Sequence, residues 1–247
     1  MFYMDSHIHL QDYKTQDIKN VVTNAVDNGI NVFINASAHP DDWNKIQQIA
    51  AEYTQVIPAF GIHPWYFQNA QDNQLAILEE FLQKNPKAWV GECGIDRLKN
   101  RDIAKQSAIF LEQAQLANKY NRPLIVHAVK ADEVLYPLLN KLPQQTIFHS
   151  FCGSSEWGKI LQNKGFYLGI NFAILRKKNA DTLLKSLNLR QILLETDGPY
   201  QNIIQHIETL PEDIPLLAHK IADLLNMEYG MFAEIIYQNQ QQFMGDR

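Results

Sequence analysis

The 247-residue chain has only two cysteines, Cys93 and Cys152, and that scarcity excludes a disulfide framework. Buried thiols that fill space are the expectation for both. No stretch reaches the roughly 18 to 20 uncharged apolar residues of a membrane span. Asp5 also stands where a signal peptide would be apolar. A cytoplasmic protein that does not enter a membrane is expected. Positive charge is short as well: 22 lysines and arginines face 27 acidic residues, for a formal net charge of −5. The molecule as a whole has no field that draws in nucleic acid, so any polyanion site must be local. No GxGxxG follows the first apolar run, which argues against an open dinucleotide-binding sheet. Low-complexity tracts, linkers, composition breaks and sequence repeats are absent too, so residues 1–247 read as one domain.

What the chain does have is apolar residues, 46% of the total, dealt out in a rhythm. Eight short runs recur: MFYMDSHI, INVFINAS, QVIPAFGI, AWVGECGI, PLIVHA, TIFHSF, FYLGIN and QILLETD. Several are apolar nearly throughout, as strands covered on both faces must be. The spacers show one-sided helical spacing instead. One carries Ile18, Val21, Val22, Ala25 and Val26 before Asn28-Gly29, and another carries Ile103, Ser107, Phe110, Leu111 and Ala114. Strand and helix alternating eight times over this length predict a (β/α)8 TIM barrel, with an open doubly wound sheet as the alternative. After the eighth run, GPYQNIIQHIETLPED has no clear periodicity and is long enough to suggest a functional loop or small insertion. Helical material is expected from about Ile214 to Met244.

On this map, His7, His9, His39, His63, His127 and His149 fall at or just past strand ends, where such barrels build their sites. His206 lies in the long loop, and only His219 falls within a predicted helix. Glu92 is expected to end the fourth strand and Asp197 the eighth. By itself, HIH is either the polar edge of a first strand or half of a metal site. A carboxylate buried at a strand end is costly unless it is paired or metal-bound. Imidazole nitrogen with carboxylate oxygen suits zinc, manganese or nickel, and four histidines with two carboxylates are enough for two ions. His39, in AHPDD, reads as cap chemistry, and Asp96 as a helix cap or a site residue. Cations follow several strands: Arg97, Lys99 and Arg101, then Lys130, then Arg176, Lys177 and Lys178. They are either solvated loop charges or a mouth for an anion.

HIH at 7–9, GIHP at 61–64, GECGID at 91–96, PLIVHA at 123–128, HSFCGS at 149–154 and LLETDGPY at 193–200 occur in order. Together they resemble the TatD family of metal-dependent deoxyribonucleases, within the amidohydrolase superfamily, and NQQQFMG near the end resembles the family's closing helix. The resemblance implies two divalent ions (zinc, manganese, magnesium or nickel), one on His7, His9 and Asp197, the other on His127 and His149, with Glu92 bridging. It implies a metal-activated hydroxide attacking a phosphodiester. Asp197 would take the proton. His63 would lie outside the ligand set and contact a phosphate oxygen or protonate the leaving group. Asp5 would support the histidines from behind. DNA, cut from its 3′ end, or a small phosphodiester would be the substrate, contacted by Lys130, Arg97 and Arg176. A monomer is compatible with the sequence.

Three departures qualify the substrate. The family's arginine two residues after the fifth-strand histidine is absent, with Lys130 one position further on. Its tyrosine-rich stretch after the fourth strand is replaced by RLKNRD, and its Arg-Gly and Asn-x-Pro signals after the eighth by QNIIQHIETLPED. A hydrolase of a different small ester or amide on the same two-metal platform, and a noncatalytic metal-binding protein, are the alternatives.

Overall fold

The computed structural model describes residues 2–67, 73–99, 102–201 and 207–245. All eight predicted strands form: β1 (Tyr3–Ile8), β2 (Ile30–Ala36), β3 (Val56–Phe60), β4 (Trp89–Asp96), β5 (Leu124–Val129), β6 (Thr146–Phe148), β7 (Tyr167–Ile170) and β8 (Ile192–Leu194). They are hydrogen-bonded in chain order, β1 to β8, into one sheet of parallel strands with helices between them, the (β/α)8 barrel that the alternation predicts. The helices are α1 (Ile18–Asp27), α2 (Trp43–Glu52), α3 (Gln74–Lys84), α4 (Ile103–Lys119), α5 (Asp132–Leu135), α6 (Ser155–Asn163), α7 (Ala180–Ser186), α8 (Ile214–Leu225) and α9 (Tyr229–Met244). Among the described residues no helix is long and apolar enough to cross a membrane. Internal contacts gather into two compact units, Met1–Ile34 with Ser150–Arg247, and Asn35–His149.

In the first unit, α1 starts where the Asp17 side chain accepts from the Lys19 N–H and ends at Asn28, before Gly29 in the left-handed region. Backbone bonds tie the chain beyond β8 to β1: the Asp197 N–H reaches the His7 carbonyl (2.9 Å) and the His9 N–H reaches that of Gly198 (2.7 Å). The NQQQFMG stretch has a structural task at the other end of these strands. Asn239 on α9 donates to the carbonyls of Leu189 and Ile192, and the Gln240 amide pairs with the Met4 N–H and the Phe2 carbonyl.

In the second unit, β4 departs from expectation. Glu92 does not end the strand but sits in its middle, where the pairing with β5 shifts register between Val90 and Cys93. A bulge of this kind re-aims a side chain, and it explains how a mid-strand carboxylate can turn into the site. The buried face of α4 also differs from the predicted one. It carries Gln106, Phe110, Gln113, Ala114 and Ala117, and leaves Ile103, Ser107 and Leu111 only half-buried. Its two glutamines clamp strand ends: Gln106 pairs with both backbone groups of Asp96, and Gln113 with both of Ile62. An apolar stripe written by spacing cannot show this, because the buried amides replace backbone partners rather than apolar surface. Gln113→Leu is accordingly expected to destabilise by about 2 kcal/mol despite its gain in hydrophobicity, since it strands a buried N–H and C=O. Urea denaturation checks this, and an unchanged midpoint would refute the clamp. Cys93 is buried, with its thiol pushed up by that burial and the nearby Glu92, whereas Cys152 is partly exposed, contrary to expectation.

Candidate metal centre

Within the first unit, alternation along β1 puts His7 and His9 on one face, and their Nε2 atoms lie 3.0 Å apart. Asp197 Oδ1 lies 3.6 Å from His7 Nε2 and 3.5 Å from His9 Nε2. Asp197 follows β8 in the left-handed region (φ 57°), held by its bond to the His7 carbonyl and by the Tyr200 N–H on its own carbonyl. Three donors separated in this way match the edges, about 3.4 Å, of a tetrahedron with bonds of about 2.1 Å to a divalent ion. Asp5 does not reach the imidazoles. Its fully buried carboxylate accepts from the backbone N–H of His7 and Thr196 and from the Thr196 hydroxyl, fixing the backbone that carries His7 and Asp197. Burial raises its pKa to about 7, against those hydrogen bonds.

The second unit gathers Glu92, His127, His149 and His63. Glu92 Oε1 lies 2.7 Å from His127 Nδ1, 2.8 Å from His149 Nε2 and 3.4 Å from His63 Nε2. The two facing nitrogens of His127 and His149 are 3.3 Å apart. His127 turns its other nitrogen to Asp96 Oδ2 at 3.4 Å. Asp102, not Asp96, caps α4, and Asp96 instead holds the turn that follows β4. Its Oδ1 accepts from the N–H of Leu98 and Lys99, while Oδ2 accepts from the Trp65 indole at 2.6 Å. Burial alone would raise the Asp96 pKa, but the bonds from His127, Trp65 and the two backbone groups hold it below the usual carboxylate range. Burial likewise works against a charged His127, and its bonds to Asp96 and Glu92 outweigh that and raise it.

His63 differs from its neighbours. Burial brings its pKa down to about 4, and its Nδ1 accepts the Trp65 backbone N–H at 3.0 Å. A neutral imidazole whose Nδ1 is an acceptor carries its one proton on Nε2. It presents a donor there, yet with Glu92 and His127 it also forms one of the donor groups close enough together to hold a metal ion.

The cations divide between the units. In the second, the Arg97 guanidinium lies 3.3 Å from the Lys130 carbonyl and 3.6 Å from Glu133, and Lys130 is exposed with φ 53°. In the first, Arg176 donates to Gln201 (3.2 Å) and Lys177 to the Cys152 carbonyl (2.7 Å). His39 is a cap, its Nδ1 accepting from the Asp41 N–H, and His219 stacks on Tyr229. Arg101 and residues 202–206 of the loop expected to be functional, His206 among them, lie outside the described residues. Residues that spacing alone did not single out are Gln106, Gln113 and Trp65; glutamines at helix phases otherwise apolar were the available signal for the first two.

A (β/α)8 barrel bearing clusters of histidine and carboxylate donors that could hold metal is the architecture of a metal-dependent hydrolase. The profile of the family described as TatD related DNase matches residues 4–245, and the chain belongs to that family. Among its relatives is an uncharacterized metal-dependent hydrolase of Methanocaldococcus jannaschii, 24% identical over 99% of this chain and 98% of the relative. The 3′-5′ ssDNA/RNA exonuclease TatD of Shigella flexneri is 29% identical over 75% of this chain and 74% of that protein. The crystal structure of the TatD homologue YjjV from Escherichia coli superposes with a TM-score of 0.90 at 25% identity, covering 98% of this chain and 97% of the other.

Proposed function

We propose that the chain is a two-metal phosphodiesterase that trims nucleic acid, most simply single-stranded DNA from its 3′ end. The observation that carries this reading is the convergence of imidazole and carboxylate donors, all buried but the half-buried His127, in the two clusters, His7, His9 and Asp197 in one and Glu92, His127 and His149 in the other. In this reading each cluster would hold one divalent ion, with Glu92 shared between them as the family resemblance implies. Bound there, the ions would supply Lewis acidity and offset the charge of the phosphodiester. The relative named as a single-stranded DNA and RNA exonuclease supports the substrate class.

The protein's own groups supply the rest. Asp197, clamped by its backbone bond to His7, accepts the proton of the attacking water. His63 Nε2–H donates to a phosphate oxygen; its tautomer, fixed by the Trp65 N–H, favours that role over ligation. Among the proposed substrate contacts Lys130, Arg97 and Arg176, Lys130 takes the phosphate contact that the family resemblance gives to an arginine. Arg97 helps to shape the turn that presents it.

Purified protein is expected to hold two ions per chain by elemental analysis and to shorten 3′-blocked-control and free end-labelled single strands differently, attacking only the free 3′ end. No cleavage with zinc, manganese, magnesium or cobalt would sink the nuclease reading. Turnover of a small ester or amide in its place would favour the second reading, which the altered loops after Asp96, His127 and Asp197 support.

A further inference from the structure

Of the four tryptophans, Trp43, Trp89 and Trp157 are 2%, 1% and 6% exposed, whereas Trp65 is 45% exposed. An exposed indole forgoes the burial that its large apolar ring would otherwise gain, which leaves open surface for a partner. The side chain is nonetheless held from several directions. Its indole N–H donates to Asp96 Oδ2, its backbone N–H donates to His63 Nδ1, and its ring meets His63 edge-on with centroids 5.0 Å apart. The Lys99 ammonium stands 4.6 Å from the ring centroid, and Leu98 beside it is 71% exposed. Fixed aromatic surface, a cation over the ring and direct contact with His63 make a consistent set. They suit a planar group with an apolar face attached to an anion.

We propose that Trp65 and Lys99 form a nucleobase subsite in which one base of a single-stranded substrate stacks on the indole while Lys99 meets the adjoining phosphate. This rests on the phosphodiesterase reading above and deepens it: the site selects strands that carry bases, not bare diesters. A base on an aromatic platform needs no base-specific hydrogen bonds, so little sequence preference is expected. The bond from the indole to Asp96 means that the platform comes preorganised, and less ordering is needed on binding.

The test uses metal-loaded protein and labelled phosphorothioate hexathymidylate, which resists cleavage, beside a strand of the same length with abasic residues. Affinity is read by fluorescence anisotropy. The wild-type protein is expected to favour the thymidine strand by about tenfold, within the range for loss of one base–aromatic stack. Trp65→Phe keeps a ring but loses the indole N–H, and it should retain most of that preference; Trp65→Ala should bind both strands alike. The thymidine strand should also quench wild-type tryptophan emission and leave that of Trp65→Phe unchanged, a readout that does not depend on Trp65→Ala folding. Equal affinity of the wild-type protein for the two strands overturns the proposal. So does an undiminished preference in Trp65→Ala, or a fall of Trp65→Phe to the alanine level, which would assign the effect to the Asp96 bond. Cleavage of ordinary phosphodiester strands is measured in parallel, and its failure would sink the nuclease reading while the base preference is judged on affinity alone.

Discussion

Replacing Glu92 with glutamine is expected to lower kcat/KM for phosphodiester hydrolysis by about 10³-fold or more, equivalent to about 4 kcal/mol of lost transition-state stabilisation. Bound metal should fall with it. Three imidazole nitrogens, from His127, His149 and His63, lie within 3.4 Å of the single oxygen Glu92 Oε1. The residue is 3% exposed, so water cannot replace the charge that the substitution removes. A neutral amide of the same shape keeps the packing but offers the weaker ligand. It can also turn an N–H toward nitrogens that a cation needs as lone pairs. Metal per chain after gel filtration and turnover of a chromogenic diester check the prediction together. A variant with wild-type metal content and wild-type rate would show that Glu92 is not a shared ligand.

How far this site was legible in the sequence depends on which atoms do the work. The strands were legible because both of their faces are covered, which writes nearly continuous apolar runs such as ILL and LIV. His7, His9, His149 and Asp197 are legible as candidate ligands because imidazole and carboxylate stand out at or near strand ends, whereas His127 lies inside β5. Glu92 stands out as a buried acid, but its position in the middle of its strand is not legible, because a register shift leaves no periodic trace. Asp5 is expected to support the histidines from behind, and it does so through the backbone N–H of His7. A side chain two residues from a ligand can reach either its ring or its backbone, and spacing cannot choose. Trp65 was invisible as a site residue because its exposure follows from the fold, not from its neighbours in sequence. The four glutamine-to-backbone bonds of α4 were hidden for the opposite reason, since a polar residue in a helix is ordinarily read as solvated.

The glycines of GECGID lead to the second large expected effect. Gly94 pairs with His127 across β4 and β5 and has φ 152°, which residues with a Cβ rarely adopt. A Cβ built there would lie 2.0 Å from the His127 carbonyl oxygen and 2.9 Å from the His127 carbonyl carbon and amide nitrogen. Those are backbone atoms of the neighbouring strand, so no rotamer change relieves the overlap, and β4 must move off β5. Gly94→Ala is therefore expected to cost about 3 to 5 kcal/mol of stability, at the upper end for a single substitution. Any folded fraction should also lose metal, because the strand displaced is the one that carries His127, whose bonds to Glu92 and Asp96 are made at 2.7 and 3.4 Å. Alanine at Gly29 supplies the comparison. Its φ of 87° is also positive, but a Cβ there meets nothing within 4 Å, so only backbone strain of about 1 kcal/mol is expected. Thermal melts of the two variants, with metal content measured on each, separate strain from collision. Equal losses at the two positions would mean that conformation alone sets the need for glycine. A much larger loss at Gly94, accompanied by loss of metal, would mean that the close approach of β4 to His127 sets it, and that the same contact places the ligand.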